Sequence, residues 1–216
     1  MNEKFIKNEQ LNFIKKQIAL IKDISKRNVP KSVLLAEIDL ANAKIIDNMP
    51  HVTEEQLGML DISSLRTDVE YEQYIQLLSS YVQPFPKITE QHLKKMFPKN
   101  KKLKLPDLST IDHSKLTYLS WTDLGLNKKF IVYELDGKMV GIECKVTPTS
   151  KANYCSICQS IGEVTYFSTK TKAKKSKNPD YYKSIGNLIC TDSNECNKKI
   201  TNVEYLTTVL REALAK

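Results

Sequence analysis

The feature of the sequence that most constrains the fold is a set of four cysteines in two close pairs. Cys155 and Cys158 have two residues between them, Cys190 and Cys196 have five, and no cysteine lies between the pairs. Two intervening residues let one tight turn direct both thiolates at the same ion, and Zn²⁺ prefers four such ligands in a tetrahedron. The spacing therefore predicts one structural zinc ion bound by these four cysteines.

The residues between the pairs indicate how the chain positions these ligands. Residues 163–169 and 186–190 have the pattern of strands, so Cys190 would end the second strand of a hairpin. Cys196 would then lie in the first turn of a helix, where backbone N–H groups favour a thiolate. A turn, a hairpin and a helix that supplies the last ligand are typical of a treble-clef zinc finger.

Other roles for the cysteines are weaker. Disulfides require an oxidising compartment, and the charged residues at the start of the sequence do not resemble a secretory signal peptide. Four unpaired buried thiols would adopt this spacing only by chance. A zinc deaminase would have a ligand-x-Glu motif and a proline before its first cysteine, whereas Tyr154 precedes Cys155. The fifth cysteine, Cys144, lies in an alternating strand pattern and is expected in the core.

The predicted site is closed, which argues against catalysis. Four thiolates leave zinc no open position for water or substrate, so the ion would stabilise the fold. A metal-dependent hydrolase would need an open position or a histidine near carboxylates, and His51, His92 and His113 are scattered. We therefore expect no enzymatic activity.

Composition and charge limit the possible partners. The chain has a formal charge of +8, and no apolar run approaches the roughly 20 residues that cross a bilayer. Residues 1–82 hold 10 Lys/Arg against 12 Asp/Glu, whereas residues 83–216 hold 23 against 13. The second part is therefore expected to bind an acidic partner. We expect a cytoplasmic monomer that makes no membrane contact.

The first part of the chain has the periodicity of helices. Apolar residues recur at steps of three and four over residues 11–21 and 34–49, which predicts two amphipathic helices. Thr53 and Thr67 each precede a Gln or Glu by three residues, and this capping-box spacing predicts two more. Short connections favour a four-helix bundle over residues 1–82, with no catalytic cluster.

The second part of the chain changes to the periodicity of strands. Gln83-Pro84-Phe85-Pro86 interrupts the helical pattern and marks a domain boundary, and one short helix is expected over residues 89–97. A strand is expected over residues 116–121, and Asp136-Gly137 between two later strands is a type I′ hairpin signal. The fold class is therefore α+β, with an N-terminal helical bundle followed by an α/β domain over residues 83–216 that contains the zinc finger.

A last helix is expected near the end of the chain. Thr201-x-x-Glu204 has capping-box spacing, and Tyr205, Val209 and Leu210 would give this helix an apolar face that can pack on the zinc finger.

Lysines are concentrated in two segments of the second domain. One segment is the run over residues 99–104. The other connects the two strands of the zinc-finger hairpin and contains Lys170, Lys172, Lys174, Lys175 and Lys177. Both segments suit contact with RNA or with an acidic protein. The alternative interpretation is a solvated surface that makes no specific contact.

The zinc-finger segments resemble those of one protein family. They are Tyr154-Cys155-Ser156-Ile157-Cys158, Ile189-Cys190-Thr191-Asp192-Ser193 and Cys196-Asn197-Lys198-Lys199-Ile200-Thr201. Together with Trp121-Thr122-Asp123-Leu124 and Tyr81-Val82-Gln83-Pro84-Phe85, they resemble the FusB-type fusidic acid resistance proteins, also called elongation factor G-binding proteins. The resemblance covers nearly the whole chain.

This resemblance implies a partner and a function. The four cysteines would bind zinc, and the zinc-bearing domain would bind elongation factor G and help to release it from ribosomes on which fusidic acid has trapped it. Tyr154 matches an aromatic contact residue that the family places before the first cysteine. The hairpin departs from the family pattern of basic and aromatic contact residues. The candidate contact residues are Tyr154, Lys183, Ile185, Leu188, Val209 and the loop lysines Lys170, Lys172, Lys174 and Lys175.

Two functions are compatible with the sequence. The first is a protein that binds elongation factor G and protects translation from the drug, with transient contact to the ribosome or its RNA. The second is a zinc-finger protein that binds RNA or DNA, which the lysines would also suit. Nucleic-acid binding should weaken with salt at a log-log slope of roughly −0.7 to −0.9 per phosphate contact, whereas a contact anchored by aromatic residues should resist salt better.

Overall fold

The chain divides into two compact units, Met1–Gln83 and Pro84–Lys216. The computed structural model describes residues 3–100, 102–171 and 183–215. No helix in these ranges is both long and apolar enough to cross a bilayer.

Residues 3–83 of the first unit contain four helices, as the apolar periodicity and the capping-box spacing predicted. They are α1 Asn8–Ser25, α2 Lys31–Asp47, α3 Glu54–Leu60 and α4 Asp68–Ser79. Thr53 and Thr67 form the two expected capping boxes, and each side chain accepts a hydrogen bond at 3.2 Å from the backbone N–H three residues later. Helix α2 starts directly after Pro30, because the fixed φ of proline suits a helix start.

One apolar core joins these helices. Its fully buried members include Ile14, Ile18, Ile45 and Leu78, and the three isoleucines lie on the two predicted apolar stripes. Burial of each such side chain contributes about 1.5–3 kcal/mol. The two ends of the unit meet where the backbone N–H of residue 83 donates to the carbonyl of residue 6 at 2.8 Å.

The second unit is built on a five-stranded antiparallel sheet. Its strands are β1 Leu119–Asp123, β2 Lys128–Leu135, β3 Lys138–Pro148, β6 Val164–Lys170 and β7 Ser184–Cys190, in this spatial order. A separate pair is formed by β4 Asn153–Tyr154 and β5 Ile161–Gly162. The helices of this unit are α5 Glu90–Met96, α6 Ser193–Lys199 and α7 Glu204–Leu214. The mixed α+β class is confirmed.

The predicted hairpin between β2 and β3 is present. Asp136 and Gly137 have φ values of 51° and 72°, which are the two positive values that a type I′ turn requires. This turn fixes the register of β2 and β3, so that Lys129 lies opposite Cys144 and Phe130 opposite Glu143.

Strand β2 is buried on both faces of the sheet, and its alternating side chains enter two different cores. Phe130 and Val132 pack in one core with Phe97 and Trp121, whose indole ring stacks on Phe130 with a centroid distance of 5.0 Å. Ile131 packs in the other core, which contains the four paired cysteines and α7. The sheet therefore separates an aromatic core from a cysteine-containing core.

Two local expectations were wrong. Strand β1 begins at Leu119 and not at residue 116, because the backbone N–H groups of Thr117 and Tyr118 donate to the buried Asn197 side chain. Thr201 does not form the expected capping box, because the oxygen that accepts from the Glu204 N–H, at 2.7 Å, belongs to the side chain of Asn202.

Candidate metal centre and the adjoining surface

The first cysteine pair lies in a tight turn between β4 and β5. The Gln159 N–H donates to the Cys155 carbonyl at 2.8 Å, and the Cys155 N–H donates to the Ser160 carbonyl at 3.0 Å. Gln159 adopts a positive φ of 55°, which lets the chain reverse within this short segment. The turn directs Cys155 and Cys158 toward the same point.

The second pair is held by a strand and a helix, as expected. Cys190 is the last residue of β7, and α6 begins three residues later with Asp192 as its N-cap. The Asp192 side chain accepts a hydrogen bond from the Asn194 N–H at 2.8 Å, which fixes the first turn of the helix. Cys196 follows one turn into α6 and closes the group of four cysteines.

The distances between the sulfur atoms fit a tetrahedral zinc site. The four Sγ atoms all lie within 4.8 Å of one another. Cys155 and Cys196 are 3.9 Å apart, and Cys158 and Cys190 are 3.6 Å apart. Four ligands at a Zn–S distance of about 2.3 Å would have sulfur atoms about 3.8 Å apart. The four cysteines therefore form a structural zinc site.

The electrostatics of the four thiols also suit a cation. Hydrogen bonds from Cys158, Cys190 and Cys196 hold the pKa of the Cys155 thiol well below its usual range. The hydrogen bond that Cys196 donates to Cys155 contributes most to raising the pKa of Cys196 far above its usual range. Four thiolates would repel one another in this buried cluster, and a bound zinc ion would offset their negative charge.

Two other buried residues support the centre. Asn197, 2% exposed, accepts hydrogen bonds from the N–H groups of Thr117 at 2.7 Å and Tyr118 at 3.2 Å, which connects α6 to the start of β1. Burial, and next the neighbouring Cys196, raise the pKa of the Tyr118 hydroxyl well above its ordinary value. The sequence pattern did not identify either residue, because their partners lie far away in the chain.

Cys144 lies outside this group of cysteines. Its side chain is fully buried, and burial raises the pKa of its thiol to about 12. Cys144 is therefore a core residue, as expected.

Two cross-strand pairs expose apolar side chains beside the metal centre. Tyr154 lies opposite Ile161 in the β4–β5 pair, and these residues are 51% and 74% exposed. Tyr166, which is 45% exposed, lies opposite Leu188 in the β6–β7 hairpin, and Leu188 is half-buried against the cysteine-containing core. The two hairpins adjoin, since the Ser156 N–H donates to the Leu188 carbonyl at 2.9 Å. We call Tyr154, Ile161, Tyr166 and Leu188 the zinc-finger patch.

The other candidate contact residues have different environments. Val209 is only 4% exposed because α7 packs this face into the cysteine-containing core, so its expected role as a surface contact was wrong. Ile185 is half-buried against the same core, and Lys183 forms an ion pair with Glu212 at 2.8 Å. Lys170 is exposed at the end of β6. Lys172, Lys174 and Lys175 lie outside the described residues.

Comparison with known proteins defines the class. The family model described as FBP C-terminal treble-clef zinc-finger matches residues 95–213, and the model described as Elongation factor G-binding protein, N-terminal, matches residues 5–86. The chain is also similar to a solved structure of the fusidic acid resistance protein FusC. The identity is 28%, the TM-score is 0.79, and the alignment covers 99% of this chain and 100% of that chain. Curated protein sequences gave no match.

The fold and the four-cysteine site thus define a treble-clef zinc-finger protein with an N-terminal helical unit. The chain belongs to the FusB-type family of elongation factor G-binding proteins. The expected family, fold class and zinc cofactor are confirmed.

Proposed function

We propose that this protein binds elongation factor G and promotes its release from ribosomes on which fusidic acid has trapped it, so that translation continues in the presence of the drug. The observation that carries the proposal is the similarity to a fusidic acid resistance protein over 99% of this chain, together with the elongation factor G-binding family model on residues 5–86. The proposal requires that the protein work in the cytoplasm, where ribosomes are.

The zinc-finger patch is the surface that suits this contact. Protein interfaces are anchored by a few aromatic and large apolar side chains, surrounded by residues that exclude water. Tyr154 and Ile161 are the most exposed members of the patch, and each belongs to a strand next to the zinc-binding turn. Zinc therefore acts indirectly, because it holds the turn that presents these side chains.

Release of the factor requires only a difference in affinity. A protein that binds one conformation of the factor more tightly than the trapped one shifts the equilibrium toward release, by no more than that difference. No chemical modification of the drug is needed, and a closed four-thiolate site provides no position for a reactant. We therefore propose a binding protein that acts as a monomer and is not an enzyme.

The experiment is a calorimetric titration of elongation factor G with the wild-type protein and with Tyr154→Ala and Ile161→Ala. If these side chains anchor the contact, each variant should weaken binding about 30-fold, which corresponds to about 2 kcal/mol at a hot spot. Leu124→Ala is the matched control, because Leu124 is 83% exposed in the turn between β1 and β2 and lies outside the patch. Unchanged affinity in both patch variants would contradict the proposed surface.

A second candidate function is binding to an RNA backbone, which a basic groove favours. The groove has a volume of about 880 Å³ and lies between the end of α5, strands β3 and β6, and the end of α7. Its lysines are Lys95, Lys99, Lys145 and Lys170. Glu143 is the one carboxylate among its described lining residues, and it forms an ion pair with Lys128 at 2.5 Å.

The polar side chains of this groove suit phosphate, whereas the rest of its lining, which includes Met96, Phe97 and Ile142, is apolar. Its polar lining residues also include Asn100, Ser168, Thr169, Thr171 and Ser184. Lysine and serine are depleted in protein interfaces, whereas Lys, Ser, Thr and Asn make most contacts to phosphate and sugar.

Filter binding to duplex RNA over a range of salt concentrations tests this candidate. The double variant Lys95→Gln, Lys145→Gln should reduce the log-log salt slope by about 1.5, while Lys138→Gln should leave it unchanged. The RNA-binding function would be contradicted if the protein does not bind RNA, or if the double variant binds RNA as tightly as the wild type.

A further inference from the structure

A lysine is buried beside the zinc site. Lys129 lies on β2 with 1% of its surface exposed. It lies on the same face of the sheet as Ile131, two residues later, and this face carries the cysteine-containing core. Its Nζ donates to the Thr191 carbonyl at 2.9 Å and approaches Thr122 Oγ1 at 3.4 Å. Because Thr191 directly follows the ligand Cys190, the ammonium group lies next to the metal centre.

The burial of this ammonium group requires a compensating negative charge. A buried ion without a partner is strongly destabilising, so buried lysines normally pair with a carboxylate. Among the described residues, no carboxylate forms an ion pair with Lys129. Burial lowers the pKa of Lys129, and the groups that oppose this effect most strongly are Cys196, Asp192 and Cys190. Two of these three groups are zinc ligands.

The zinc centre, in turn, carries a buried negative charge that requires a compensating positive charge. Four thiolates and one Zn²⁺ have a formal charge of about −2, and this charge would lie in a core of buried side chains. The Cys190 N–H donates to Cys155 Sγ at 3.2 Å, but a backbone amide supplies only a partial charge. Lys129 supplies a full positive charge beside the site.

We propose that Lys129 is the counter-ion of the zinc centre. Its ammonium group offsets part of the negative charge of the four thiolates and thereby increases zinc affinity. In return, the metal-bound thiolates offset the cost of burying the ammonium group. The proposal depends on the zinc site alone and is independent of the partner proposed above.

The test compares Lys129→Met with Lys138→Met by competition for zinc with a chromophoric chelator. Methionine retains most of the side-chain length and removes the charge. Lys138 is exposed at the start of β3, so its replacement removes the same charge from the surface of the same sheet. Lys129→Met should bind zinc about 10- to 100-fold more weakly, as is typical when a group that supports metal ligands is removed. Lys138→Met should match the wild type.

Two further measurements separate charge from packing and from hydrogen bonding. Saturating zinc should restore the unfolding temperature of Lys129→Met, because mass action compensates for a lower affinity. Lys129→Gln retains a donor for the Thr191 carbonyl but has no charge, so it should lose zinc affinity as Lys129→Met does. The proposal is overturned if Lys129→Met keeps wild-type affinity, if excess zinc fails to restore its stability, or if Lys129→Gln binds zinc like the wild type.

Discussion

The two units of this protein bury their cores by different means. The first unit relies on many similar aliphatic side chains from four amphipathic helices, such as Ile14 and Leu78. The second unit has a metal site in one of its two cores, with the buried side chains of Lys129 and Asn197 bonded to residues near that site. Stability in the first unit is therefore spread over many small contributions, whereas stability in the second depends on a few groups whose loss has a large effect.

Removal of zinc should produce the largest difference in stability between the two units. Cys155→Ser, or treatment with a strong chelator, should unfold the second unit and leave the helices of the first unit intact, because structural zinc contributes about 10–16 kcal/mol in small zinc fingers. Far-UV circular dichroism with zinc analysis measures this effect. Cys144→Ala is the control and should retain one zinc per chain, since Cys144 lies outside the site. A Cys155→Ser protein that remains fully folded without metal would contradict the structural role of zinc.

A cavity in the helical core should destabilise the first unit and leave the second unit unaffected. Leu78→Ala should destabilise the first unit by about 2–5 kcal/mol, as expected for a fully buried leucine, and should leave zinc content unchanged. Leu77→Ala is the matched control on the same helix, because Leu77 is 52% exposed and should change stability by less than about 0.5 kcal/mol. Chemical denaturation measures both variants. Equal effects of the two variants would contradict the assigned core.

Loss of the buried side-chain amide of Asn197 should destabilise the second unit less than loss of zinc does. Asn197→Ala leaves the N–H groups of Thr117 and Tyr118 without their partner, so it should cost about 1–3 kcal/mol and speed zinc release to a chelator. Asn194→Ala, at an exposed position of the same helix, should do neither. If both variants release zinc at the wild-type rate, Asn197 does not support the metal centre.

Removal of a helix cap should give the smallest difference in stability between the two units. Thr67→Ala removes a hydrogen bond to the Glu70 N–H and should destabilise the first unit by about 1 kcal/mol. Thr201→Ala should have almost no effect on the second unit, because the side chain of Asn202 is the one that bonds to the start of α7. Thermal unfolding of both variants checks the pair. A larger loss from Thr201→Ala than from Thr67→Ala would contradict the assignment of the caps.

The same comparison explains which parts of the fold the sequence could predict. Helices α1 to α4, their caps at Thr53 and Thr67, and the turn at Asp136-Gly137 depend on residues that are close in the sequence, and all of them were predicted. The zinc ligands were also predicted, because their spacing is itself the signal. The capping box predicted at Thr201 was wrong because Thr201 and Asn202 could both cap the helix, and the spacing rule does not choose between them.

Features that depend on distant partners could not be predicted in this way. Lys129 appears in the sequence as one more strand lysine, and its burial depends on Thr191, which is 62 residues away. Val209 was assigned to the surface because an apolar residue on an amphipathic helix has the same pattern whether it packs inward or contacts a partner. Ile161 and Tyr166 were missed because their exposure follows from the strands they pair with. The structure shows that the register of β6 and β7 places Tyr166 opposite the predicted Leu188.

The most direct test of the proposed function is a calorimetric titration of elongation factor G with zinc-loaded protein, with zinc content measured on the same sample. We predict saturable 1:1 binding by protein that contains one zinc per chain, and no binding after the zinc has been removed. Folded, zinc-loaded protein that does not bind the factor would contradict the proposed function, and duplex RNA would then be the next ligand to titrate.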